Sequence, residues 1–93
     1  MDRPVPVFLA ERAAREMTDS ELRAVHSALY RASSRIRNAG RSVRYVRSAY
    51  DPTRGLWVAT FTADDPNAVA TAIDLAQLPP VNLTEAVEFR AEE

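Results

Sequence analysis

The spacing of apolar positions changes repeatedly along this chain, and each change marks an element. Val5-Pro6-Val7-Phe8-Leu9-Ala10 is a short apolar run. Pro4 and Pro6 cannot donate to a ladder on both sides, so the run predicts a strand with an edge-like beginning. Thr18 followed three residues later by Glu21 is a capping box, with Met17 and Leu22 placed to pack across it. Leu22, Val25, Leu29, Ala32 and Ile36 then recur at helical spacing, which predicts a helix over about 19–38 stopped by Gly40. Ser42 to Tyr50 is rich in β-branched and aromatic residues, and Asp51-Pro52-Thr53-Arg54-Gly55 is turn chemistry leading into Leu56–Phe61. That pair predicts a hairpin. Asp65-Pro66 sets an N-cap and a first-turn proline, and Val69, Ala72, Ile73 and Ala76 form an apolar stripe until Leu78-Pro79-Pro80 ends the helix. Val81, Leu83, Glu85, Val87 and Phe89 alternate with polar positions, predicting a last, half-buried strand.

The order β-α-β-β-α-β is the split-βαβ or ferredoxin-like arrangement, an α+β fold with a four-stranded antiparallel sheet and two helices on one face. One domain accounts for the 93 residues, with an ordered core over about 5–90 and a frayed tail, Arg90-Ala91-Glu92-Glu93. The other sheet face is left for something else. With Val7, Leu9, Trp57 and Phe61 turned toward the helices, Phe8, Ala10, Leu56, Val58 and Val46 would form a largely apolar open face. So large an apolar face needs a cover, and the simplest cover is a second copy, sheet against sheet, in a homodimer.

Composition narrows the chemistry. Apolar residues make up 46% and charged residues 27%, as in globular domains rather than disordered ones. The chain has no cysteine, which excludes a disulfide framework, thiolate metal sites and thiol catalysis. A metallochaperone with paired cysteines after the first strand goes with them. Two glycines are too few for a phosphate-cradling loop, and an acylphosphatase-like anion loop is missing from the N-terminal region. No apolar run is long enough to span a bilayer, and the opening Met-Asp-Arg-Pro-Val-Pro does not resemble a signal peptide, so the expected location is the cytoplasm, with no membrane partner.

Net charge is −1, yet all twelve basic residues are arginine, and seven of them fall in residues 31–54 against the single acid Asp51. That stretch carries +6 and the remainder −7, a polarity able to steer an anion or an acidic surface. It also raises the question of RNA, because Arg54-Gly55-Leu56-Trp57-Val58-Ala59-Thr60-Phe61 overlays the third-strand consensus of the RNA-recognition motif. The two base-stacking positions would be Leu56 and Val58, which have no π-face, so nucleic acid is not the favoured partner.

Candidate chemistry is sparse. His26, the single histidine, adjoins the apolar stripe of the first helix between Leu22 and Tyr30, a half-buried position. Its commoner role there is a core-edge histidine with a backbone or tyrosine partner; the sharper one is metal ligand or acid–base group. Glu11 and Glu85 are the carboxylates able to join it. Glu85 shares the alternation of Leu83 and Val87, and an arginine such as Arg44 or Arg47 is its simplest partner.

Phe8-Leu9-Ala10-Glu11-Arg12, Ser20-Glu21-Leu22 with His26, Val43-Arg44-Tyr45 with Ser48, Ala63-Asp64-Asp65, Leu78-Pro79 and Leu83-Thr84-Glu85 together resemble a family of small bacterial ferredoxin-like proteins of unknown function that includes a nickel-binding member. The likeness spans roughly residues 6–89. It implies a non-enzymatic binding protein for a divalent transition metal such as nickel, with Glu11, His26 and Glu85 as the ligands left in this chain. Histidines expected near Arg47 and Ala72 are absent. The alternative is a dimeric module that binds a small organic ligand or a protein in a pocket between helices and sheet, with Tyr45, Trp57 and Arg47 in its lining beside His26. Proton transfer by histidine and a carboxylate, in an enzyme of the α+β-barrel type, is a third reading.

Overall fold

A computed structural model describes residues 3–91. The order is β1 (Arg3–Ala13), α1 (Asp19–Asn38), β2 (Val43–Asp51), β3 (Leu56–Ala63), α2 (Pro66–Leu75) and β4 (Asn82–Arg90). All pairings are antiparallel and the strand order is β2-β3-β1-β4, which is the ferredoxin-like fold. No helix among the described residues is long and apolar enough to cross a membrane.

The local signals act as read. Thr18 Oγ1 accepts from the Glu21 amide at 3.1 Å while Glu21 Oε1 accepts from the Thr18 amide at 2.8 Å, closing the capping box. Those hydrogen bonds hold the Glu21 carboxyl below its ordinary range. Gly40 stops α1 at φ +98°, where a side chain would be strained. Asp65 caps α2 by accepting from the Ala68 amide at 2.9 Å, and Asp51 Oδ1 collects the amides of Thr53 and Arg54 in the hairpin turn. Thr18→Ala should cost about 1 kcal/mol in urea unfolding, the usual worth of an N-cap side chain.

Three boundaries differ from expectation. α2 ends at Leu75, three residues before the expected stop, because Gln77 turns to φ +60° and the Leu78 amide bonds back to the Ile73 carbonyl. β1 runs on to Ala13, where the Ala14 amide ties to the Gly55 carbonyl at 2.8 Å. At the C-terminus Arg90 still pairs with Arg3 rather than fraying, and Glu92 and Glu93 lie outside the described residues.

Register decides which side chains reach the core, and here the expectation for β1 is reversed. Phe8 stands opposite Phe61 and Ala10 opposite Ala59, and directly opposed residues share a face. Phe8 and Ala10 therefore join Trp57, Phe61, Leu29, Ile36, Val69 and Ile73 under the helices, while Val7 and Leu9 turn to the open face with Leu56 and Val58. α1 packs over β2 and α2 over β3. The ladder between β1 and β3 begins only at Phe8, so Arg3–Val7 pairs with β4 alone and forms a two-stranded ribbon. On its helix-side face Val87 and Phe89 are 62% and 69% exposed, so β4 is not half-buried along its whole length.

The prolines fit this ribbon. Pro4 and Pro6 stand opposite Phe89 and Val87. Because proline cannot donate, these are the non-hydrogen-bonded positions of the β1–β4 ladder, and the missing amides fall on the side where β3 has already stopped.

Candidate functional site

β2 carries most of the polar geometry, and a bulge is the reason. Tyr45 pairs with Phe61 and Arg47 with the neighbouring Thr60, leaving Val46 as the extra residue. In a regular strand, residues three apart lie on opposite faces. The bulge cancels that alternation, so Tyr45 and Ser48 both face the helices and Arg44 and Arg47 both face outward. Val46, expected on the open face, is this unpaired residue.

On the helix side the bulge assembles a three-residue hydrogen-bonded chain. His26 Nδ1 lies 2.7 Å from the Tyr45 hydroxyl, which lies 2.8 Å from Ser48 Oγ. The Tyr45 ring meets His26 edge-on at 5.1 Å and tilts against Phe61 at 5.6 Å. Tyr45 is buried, and that burial pushes its phenol above the ordinary value while the Ser48 hydrogen bond pulls partly back. Its single proton serves one neighbour at a time. When Tyr45 donates to Ser48 it accepts from a protonated Nδ1; when it donates to an unprotonated Nδ1, Ser48 must donate in turn. His26 itself is exposed on α1 rather than half-buried as expected.

On the open face Arg47 reaches across the sheet. Its Nη1 donates to Glu88 Oε2 on β4 at 2.6 Å, and Arg90 Nε donates to the other carboxylate oxygen. These hydrogen bonds, Arg90's first and then Arg47's, hold Glu88 below the ordinary carboxylate range. The strands of the Arg47 pair are the two edges of the sheet, so the side chains pass over β3 and β1. Beneath them Val7 and Thr60 are 2% and 7% exposed although both belong to the open face. That face is thus not uniformly apolar. Val7 and Thr60 lie under a charged bridge, while Leu9, Leu56 and Val58 stay partly exposed beside it.

The structure does not bring the expected metal ligands together. Glu11 is on the open face, opposite Val58 and Asn82. Glu85 has the opposite alternation and stands exposed on β4, across from Phe8. His26 is held at β2, the other edge of the sheet, three inter-strand spacings or about 14 Å from β4. Among the described residues no three His, Cys, Asp or Glu side chains are placed to share an ion, so this set does not fit a metal centre. Neither Arg44 nor Arg47 partners Glu85 as expected: both lie on the other face, and Arg47 takes Glu88.

The expected ligand pocket is also redistributed. Tyr45 and Trp57 are core residues, 6% and 1% exposed, and Arg47 points away from both. Sequence reasoning missed Glu88 and Ser48. A carboxylate three residues from Glu85 and a serine three from Tyr45 are visible in the chain, but only the register and the bulge give them their faces.

No protein-family model matches the chain, and no curated protein matches it. Among solved structures the fold is similar to that of SCO4226 from Streptomyces coelicolor A3(2), with a TM-score of 0.72 and 17% identity over 86% of this chain and 94% of that one. At that identity the likeness shows the fold alone.

Proposed function

We propose that this chain is a binding protein that takes an amphiphilic organic anion on the open face of its sheet. The observation that carries the reading is the Arg47–Glu88 bridge laid across the sheet beside the partly exposed apolar side chains of Leu9, Leu56 and Val58. A guanidinium offers a planar fork that matches carboxylates and related anions, and exchanging one such partner for another keeps its charge paired. Glu88 keeps Arg90 when Arg47 is withdrawn, so neither charge is stranded by the exchange. The apolar body of the ligand would then lie on Leu9, Leu56 and Val58, with the exposed Arg44 as a second cation at the same border.

Titration with 8-anilinonaphthalene-1-sulfonate and with decanoate tests this. Arg47→Ala should weaken both by about tenfold or more, since a hydrogen bond to a charged group is worth about 1.5–3 kcal/mol. Glu88→Gln should tighten both several-fold, because it removes the competing carboxylate. Binding that is unchanged in Arg47→Ala, or weakened in Glu88→Gln, would overturn the reading.

A further inference from the structure

We infer that two copies of this chain pair antiparallel along the outer edge of β4, with Ala86 on the two-fold axis, joining their sheets into one of eight strands. The inference concerns a different surface from the anion reading and stands or falls without it.

The two edges of the sheet differ. β2 has the bulge at Val46 and outward arginines, both of which discourage addition of another strand. β4 has neither a bulge nor a proline: its nine residues run in unbroken register with β1, and among the described residues nothing pairs with its outer side. It also carries Val87 and Phe89, two large apolar side chains more than half exposed. Since Val87 and Phe89 occupy non-hydrogen-bonded positions against the prolines of β1, their amides and carbonyls point outward, as do those of Glu85 and Leu83, two and four places back from Val87 along the strand. The edge therefore presents a regular row of unused donors and acceptors.

The side chains choose the register. A two-fold axis perpendicular to the sheet keeps faces alike, so each residue meets one of its own alternation. Centring the pair on Glu85 or on Glu88 would set a carboxylate against its own copy, which is unfavourable. Centring on Val87 would set Phe89 against Glu85 and shorten the overlap to residues 84–90, whereas centring on Ala86 sets Glu85 against Val87 and keeps the whole strand paired. Centring on Ala86 opposes Phe89 with Leu83 of the second copy, Glu88 with Thr84 and Arg90 with Asn82. No like charges then meet, the smallest side chain sits on the axis, and all nine residues overlap. The outward groups of residues 83, 85, 87 and 89 fall opposite those of 89, 87, 85 and 83, so each finds its complement.

The absence of cysteine makes the contact easy to interrogate. In this register residue 86 faces its own copy at a non-hydrogen-bonded position, where Cα atoms stand about 4.5 Å apart and a disulfide can close. Ala86→Cys should oxidise to a linked dimer in dilute solution. Thr84→Cys should not, because its copies are four residues out of step, about 13 Å along the strand. Val58→Cys, central on the open face, should also stay unlinked. Val87→Pro removes an outward amide that β1 does not use, and should give the native mass of one chain with an unchanged far-ultraviolet circular dichroism spectrum, against two chains for the parent. A parent mass of one chain would overturn the inference. So would linkage through Val58→Cys, which would put the sheets face to face, or a folded Val87→Pro that remains dimeric.

Discussion

Trp57→Ala should destabilise the fold by about 3–5 kcal/mol, the usual range for deleting a buried aromatic side chain. A domain of this size is stable by roughly 5–15 kcal/mol in total, so the variant should approach the unfolding threshold. Trp57 is the largest of the fully buried side chains, 1% exposed on β3 between Tyr50 and Arg12 on the neighbouring strands. Among the described residues its Nε1 has no hydrogen-bond partner, which makes a second substitution informative. Trp57→Phe gives up area but also removes a donor whose burial without a partner costs about 1–3 kcal/mol, so it should cost far less than the alanine variant. Because Trp57 is the single tryptophan, both are followed by circular dichroism in urea rather than by fluorescence. An alanine variant within about 1 kcal/mol of the parent would show that the site relaxes far more than its packing implies.

Tyr45→Ala should cost about 3–5 kcal/mol by the same packing argument, while Tyr45→Phe should cost about 1 kcal/mol, the net worth of a hydrogen bond. The alanine variant loses the contacts with Phe61 and His26; the phenylalanine variant keeps them and loses only the hydroxyl between His26 and Ser48. Alkaline pH separates the two effects. Burial raises the Tyr45 phenol above its ordinary value of 10, so the folded state holds that proton more tightly than the unfolded state does. The resulting stabilisation is complete below about pH 10 and is lost as pH rises through the folded-state value. Tyr45→Phe should therefore lose less stability on going to strongly alkaline solution than the parent does. An identical alkaline loss in parent and variant would mean that Tyr45 does not carry it.

How far the sequence could be read follows the range of the signal. Thr18 with Glu21, Asp65 with Pro66, and the turn at Asp51–Gly55 act over three or four residues, and each cap or turn formed where the chemistry put it. The element order and the fold follow from these together with the apolar periods. The faces of β1 do not. Val7-Phe8-Leu9-Ala10 is apolar at every position, so no alternation marks its inner side; that side is set by pairing with residues some fifty positions away. The bulge at Val46 is likewise silent in a run of β-formers, yet it decides that Tyr45 finds Ser48 and that Arg47 crosses to Glu88. Glu85 shares the alternation of Leu83 and Val87 yet is exposed, because β4 is an edge strand and Glu85, opposite Phe8, stands where the sheet narrows to the ribbon. The candidate site was legible as residue types and not as a constellation.

The strand order has a consequence in time as well as in space. β2 and β3 are neighbours in sequence and can close as a hairpin on their own. β1, first of the strands, sits at the centre of the sheet and must hold its place until β3 reaches it, and β4 has no seat except against β1. The ladder from Arg3–Arg90 to Glu11–Asn82 therefore joins the two ends of the folded chain, the contacts with the greatest loop-closure cost. A nascent chain still lacking its last strand exposes the edge of β1 that β4 will cover, so the sheet is completed only when that last strand has been made.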